Sequence, residues 1–201
     1  MATSRKKRPI RRVERIPSGA TRRRRGPSPP DALVASLVTA VIAWEDEPDR
    51  EKHREWLWIL ATLWLGLERH ARRGVIGALS GTSAERKARK AERLSQPVAW
   101  AESINEVTDR SPELGGAALV AALSALLFAE HTRLVRLYAT KAGARRYIWT
   151  TMQDNRVRDL HRKLHNTVQR WDRPPLAGHP DFHGHPGEAA GPCRCQAYPI
   201  I

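Results

Sequence analysis

The amino-acid sequence predicts a mainly α fold: a helical body, a small irregular α+β module at the C-terminus and a disordered basic arm at the N-terminus. Three observations carry this. Apolar residues recur at helical spacing through most of residues 31–142. No stretch of any length alternates apolar and polar residues with the period of a strand. The positive charge is concentrated in residues 1–30. At 201 residues, with 41% hydrophobic residues and seven Trp, the chain holds one medium-sized core plus tails.

The arm comes first. Arg5, Lys6, Lys7, Arg8, Arg11, Arg12, Arg15, Arg22, Arg23, Arg24 and Arg25 stand against a single acid, Glu14, so residues 1–30 carry +10 of the +14 total. Such a segment buries too little apolar surface to offset its ordering entropy, and is expected to be disordered when free. It reads as a non-specific contact for nucleic acid, strong at low salt because each neutralised phosphate releases counterions. No apolar run follows the basic residues, which disfavours a targeting peptide.

The body follows the Gly26-Pro-Ser-Pro-Pro30 break. Asp31 is a natural N-cap, and Leu33, Val34, Leu37, Val38, Val41 and Ile42 trace a helix that closes at Glu45–Pro48. A second helix starts near Asp49, carries Trp56, Leu57, Ile59, Leu60, Leu63, Trp64 and Leu67, and ends near Gly74–Gly77. Ala84–Leu94 predicts a charged helix and Val98–Val107 a short one after Pro97. Ser111-Pro112-Glu113 starts the longest helix, Leu114 to about Lys141. The apolar runs Ala32–Ala43, Trp56–Leu67 and Gly115–Ala129 are each shorter than the roughly 18–20 residues a membrane-spanning helix needs, so they read as core or interface and no membrane partner is expected. Trp56 and Trp58 cannot share one helix face, which points one of them toward a protein partner.

The module begins at residue 143. Gly143 stops the long helix, and Tyr147-Ile-Trp149-Thr-Thr151 suits one short strand. Asp154 is placed to cap a helix from Asn155 to about His165, with Arg158, His161 and His165 near one face and Val157, Leu160 and Leu164 turned inward. An irregular Gly/Pro/His stretch from Trp171 follows, anchored by Phe182. His185-Pro186-Gly187 gives a tight turn, and Cys193-Arg194-Cys195 precedes an apolar tail, Tyr198–Ile201.

The order of rare residues in this module is specific: Tyr147-x-Trp149-Thr, Asp154-x-Arg156-Val-Arg158-x-x-His161, Pro186-Gly187-Glu188, then Cys193-Arg194-Cys195. It resembles the signature of the phage head-morphogenesis (Mu F-like minor head protein) family over about Gly143 to Pro199. The chain departs from the family pattern in having Pro192 where Asn commonly precedes the first Cys. The resemblance implies a minor head protein of a tailed phage, active in procapsid assembly and DNA packaging near the portal. Its implied partners are the portal or major capsid protein and double-stranded DNA. Its implied place is the capsid interior of the virion, after assembly in the host cytoplasm. The basic arm fits that place independently, as a tether neutralised by packed DNA.

Two chemical alternatives follow from the residues themselves. His161-x-x-x-His165 and Cys193-x-Cys195 would supply four N/S ligands for tetrahedral Zn²⁺, with His179, His183 and His185 as spare donors. Against that, His161 can hydrogen-bond the turn while both Cys pack as small buried groups. Two Cys one residue apart are no secreted disulfide framework, and ring strain disfavours bridging them. A free nucleic-acid-binding protein with a zinc module is the competing function. A metal-dependent nuclease using Asp154, Asn155, His161 and His165 is less favoured, because no paired-carboxylate metal site, phosphate-binding Gly loop or Ser/His/Asp ordering is visible. The chain is therefore read as a non-enzyme.

Overall fold

A computed structural model describes residues 31–45, 53–94, 98–110, 113–114, 116–178, 180–188 and 193–201. The basic arm lies outside the described residues. So do the Pro48, Pro97 and Ser111-Pro112 boundaries, the side chains of Trp44 and Trp58, His179 and Pro192.

Among the described residues five helices make the body: α1 (Asp31–Glu45), α2 (His53–Ala78), α3 (Ser83–Lys90), α4 (Val98–Asp109) and α5 (Gly116–Lys141). The 26-residue helices α2 and α5 pack on each other along their length, and α1, α3 and α4 close around them. The helical spacing read from the sequence is the reason: Leu60, Trp64, Leu67, Ala71 and Val75 of α2 are buried against Leu123, Leu127, Leu134 and Tyr138 of α5 in one core. Among the described residues α5 is long and apolar enough to cross a membrane by length and composition. It nevertheless carries buried Glu130 and His131 and packs against α1, α2, α3, α4 and the C-terminal sheet.

The carboxylates buried in this core each have a partner. Trp64 Nε1 donates to Glu130 Oε1 at 2.8 Å, and Arg133 closes the same carboxylate at 2.6 Å. Tyr138 donates its hydroxyl hydrogen to the buried Glu68 carboxylate. Such pairing is what makes a buried carboxylate tolerable at all. Trp56 does not face a partner as the spacing argument allowed. It is 2% exposed, and its indole donates to Asn105 Oδ1 at 3.0 Å.

Gly143, at φ +89°, ends α5, and the amides of residues 142–144 fold back onto the last helical carbonyls. The module then forms a three-stranded antiparallel sheet in the order β2-β1-β3, from β1 (Arg146–Thr150), β2 (Thr167–Arg170) and β3 (Gln196–Ile200). Only β1 is expected from the sequence. β2 and β3 are too short to show a period, and Pro199 argues against a central strand. The fold meets that constraint by placing β3 at an edge, with Pro199 opposite Tyr147.

The sixth helix, α6 (Asp159–Leu164), is shorter than the expected span to His165 and starts later. Asp154 does not cap it. Its Oδ1 accepts the Arg156 amide at 3.1 Å in a local turn, and the cap position belongs to Arg158. The inward face is only partly the expected one, for Leu164 packs against the core but His161 goes deeper. His161 is the buried residue of α6, whereas Val157, Leu160 and Leu164 are half-buried.

Candidate functional site

The sheet brings the two ends of the module together. Thr150 at the end of β1 pairs with Gln196 at the start of β3, which sets Cys195 beside the residues that lead into α6. α6 spans the gap between β1 and β2, and Asn166, at φ +60°, makes the reversal into β2 while its amide donates to the Trp149 carbonyl at 2.8 Å. His161 consequently points from α6 onto the Cys pair.

The resulting cluster is compact and buried. Cys193 Sγ lies 3.5 Å and Cys195 Sγ 3.4 Å from His161 Nδ1, and all three residues are buried. The other ring nitrogen, Nε2, is 2.8 Å from the Ala177 carbonyl oxygen. A carbonyl only accepts, so Nε2 carries the hydrogen and Nδ1 is the atom that faces both sulfurs; in the neutral ring it offers them its lone pair. Ala177 is held in place by a tight loop in which its amide and that of Gly178 donate to the Phe182 carbonyl at 2.8 and 3.1 Å. The Phe182 ring covers Gly184 so closely that a Cβ there would sit 2.4 Å from a ring carbon. Phe182 thus anchors the irregular stretch, as expected, although it stays partly exposed.

The electrostatics of the pair are asymmetric. The neighbouring Cys195 thiol, then the His161 ring, pulls the Cys193 thiol well down against its burial. Cys195 is pushed up by its neighbour's thiolate and by burial, while the Trp149 indole and the charge of Arg158 oppose the rise. Burial lowers His161, but the Cys193 sulfur and the Ala177 carbonyl outweigh it and the net shift is upward. Trp149 stands edge-on to His161, ring centres 5.3 Å apart. Its Nε1 is buried without a hydrogen-bond partner.

His165 does not join the cluster. Its Nδ1 accepts the Thr151 amide at 3.0 Å, and its far nitrogen meets the Gln153 side chain. Arg156 and Arg158 line a cleft of about 790 Å³ between α1, α5 and the cluster, whose wall includes Val38, Val120 and Met152. Arg194 also borders that cleft and pairs with Asp154, fastening residues 193–195 to the turn before α6. Pro186 and Gly187 form the expected turn. Gly187 has φ +86°, and a Cβ there would lie 2.7 Å from the Phe128 carbonyl oxygen on α5. The Gly is therefore required both by its backbone conformation and by how closely the turn meets the helix.

One cluster is not visible in the sequence. Tyr147, Trp171 and His185 stack in the module's interior, with Tyr147 and Trp171 ring centres 4.2 Å apart and Tyr147 Oη 2.9 Å from His185 Nδ1. Glu188 reaches back to the His185 amide at 2.7 Å. Pro186-Gly187-Glu188 is thus the clasp of an aromatic box, and only the nearness of two aromatics to a His in the same module hints at it.

A helical body bearing a small sheet, closed by a buried His/Cys/Cys cluster and a Pro-Gly clasp, is the class that these features define. The chain belongs to the Phage Mu protein F like family, which matches residues 71–198, more than half of its length. This is the phage head-morphogenesis family that residues 143–199 resemble. The match reaches back through most of the body, to the second half of α2. No curated protein and no solved structure gives a significant match.

Proposed function

We propose that the chain is a minor component of a tailed-phage head, acting in procapsid assembly and DNA packaging near the portal. The observation that carries this is the family match over residues 71–198, which takes in the end of α2, all of α3 to α5 and the Cys-Arg-Cys motif. Membership in a head-morphogenesis family implies association with the virion and a structural rather than catalytic role. The portal, or the capsid wall beside it, is the proposed protein partner. Leu65, Val120 and Met152 are large apolar side chains about 40% exposed, two of them on the cleft beside the cluster, and they supply the contact. The eleven basic residues of the arm supply sequence-independent contact with packaged double-stranded DNA.

The test is co-purification. A tagged full-length chain, produced in cells making heads, should bring down portal or major capsid protein through gel filtration. A chain that elutes free of both, and binds one short duplex far more tightly than others, would support the free nucleic-acid-binding reading instead. Cleavage of plasmid DNA with an added divalent cation would support the nuclease reading.

A further inference from the structure

Two thiols face a single imidazole nitrogen. In the neutral ring Nδ1 has one lone pair, so with Nε2 committed to Ala177 it accepts from one S–H, and the other thiol has only its neighbour's sulfur. Zinc resolves this arrangement. Tetrahedral coordination with Zn–S near 2.3 Å and Zn–N near 2.0–2.1 Å separates nitrogen from sulfur by about 3.6 Å. The two separations here are 3.5 and 3.4 Å, and the three ligand atoms all lie within 4.8 Å of one another. The Ala177 carbonyl performs the task of an outer-shell partner, holding the ring in the tautomer and orientation a metal needs. The buried Trp149 Nε1–H lies beside the Cys195 sulfur, placed to donate to it as a thiolate.

We propose that His161 Nδ1, Cys193 Sγ and Cys195 Sγ bind one zinc ion through three protein ligands, leaving the fourth coordination position open to the cleft between α1, α5 and residues 193–195. As the Zn–S bonds form, any proton still held by either sulfur leaves to solvent, so two thiolates balance the dication. His165 is no ligand, because Thr151 and Gln153 hold it. The ion ties α6 to the entry of β3, and its open position accepts water or a small donor from the cleft. This site stands independently of the head-assembly reading.

The test uses the full chain, purified under reducing conditions with zinc present and without chelator. Metal analysis should find about one zinc per chain, because the three converging N/S ligands can hold only a single ion. Cys193→Ser, Cys195→Ser and His161→Ala should each lose at least ten-fold in metal affinity, whereas His165→Ala keeps it. Trp149→Phe, which retains the ring and loses the N–H, should weaken affinity by roughly ten-fold, as outer-shell changes do. Since a ligand variant can fail to fold, the wild-type chain is also loaded with Co²⁺. Thiolate charge-transfer bands should appear, and added cyanide should shift the d–d bands while the metal stays bound. A chain that takes up neither zinc nor cobalt, or that bridges Cys193 to Cys195 instead, overturns the site. Metal loss in His165→Ala, or d–d bands indifferent to cyanide, overturns the open fourth position.

Discussion

The Ala177 carbonyl accepts the Nε2–H of His161 at 2.8 Å, and so decides which nitrogen faces Cys193 and Cys195. One backbone oxygen on an irregular loop therefore sets the chemistry of a helix residue sixteen positions away. The loop, the helix and the strand entry act as one unit.

The Pro186-Gly187 turn is the second fastening of that unit to the body. Gly187→Ala meets the Phe128 carbonyl and a positive φ together, and should destabilise the chain by roughly 1–3 kcal/mol. Gly77→Ala, on α2 with open space around it, should not destabilise it. Urea unfolding of both variants checks this. Equal stability of the two would mean that the turn does not press on α5 as described.

The body separates packing residues from surface ones. Trp56→Ala should cost about 3–5 kcal/mol, because a buried indole and its bond to Asn105 both disappear. Val120→Asp and Met152→Asp, at exposed positions on the cleft, should change stability by no more than about 0.5 kcal/mol. They should nevertheless lower incorporation into heads several-fold. Normal incorporation of the double variant would move the protein-binding surface elsewhere.

Stability should also fall in mild acid. Burial, then the charge of His70, pushes His131 down to about 3 from an ordinary 6.5. The folded state holds the ring neutral while the unfolded chain takes a proton, so this stability is present above pH 6.5 and declines as pH falls from 6.5 toward 3. His70, 3.3 Å away, is shifted in the same direction by burial and then by Arg73. Urea midpoints should drop across this window, and His131→Phe should flatten the slope. An unchanged slope would assign the acid sensitivity to other groups.

How legible the fold is in the sequence depends on the range of the signal. The helices of the body follow from local apolar spacing, and α4 is readable to within a residue or two from Val98, Trp100, Ile104 and Val107. Gly143 and the Pro186-Gly187 turn are readable because positive φ has few residue solutions. β2 and β3 are not, since a four- or five-residue strand owes its existence to its partners rather than to its own pattern. His161 and the Cys pair can be singled out by residue type. That His161 faces inward while His165 turns to Thr151 depends on where α6 begins, and Asp154 shifts that start by forming a turn and pairing with Arg194. The Ala177 carbonyl has no side-chain signature at all.

The arm makes a separate prediction. Deleting residues 1–30 should remove most affinity for duplex DNA and leave helical content intact. The slope of log affinity against log salt should fall by roughly 0.9 for each phosphate that the shortened chain no longer neutralises. If the truncated chain keeps the affinity and slope of the full chain, the DNA-binding surface lies in the body.

The central claim is that this chain is a part of the phage head. Blotting gradient-purified procapsids and virions for it, beside the unassembled fraction of the same lysate, tests that most directly. The account predicts a band in procapsids at a fixed ratio to portal protein, retained when the arm is deleted. Absence from both procapsids and virions, with abundant protein in the unassembled fraction, would contradict it.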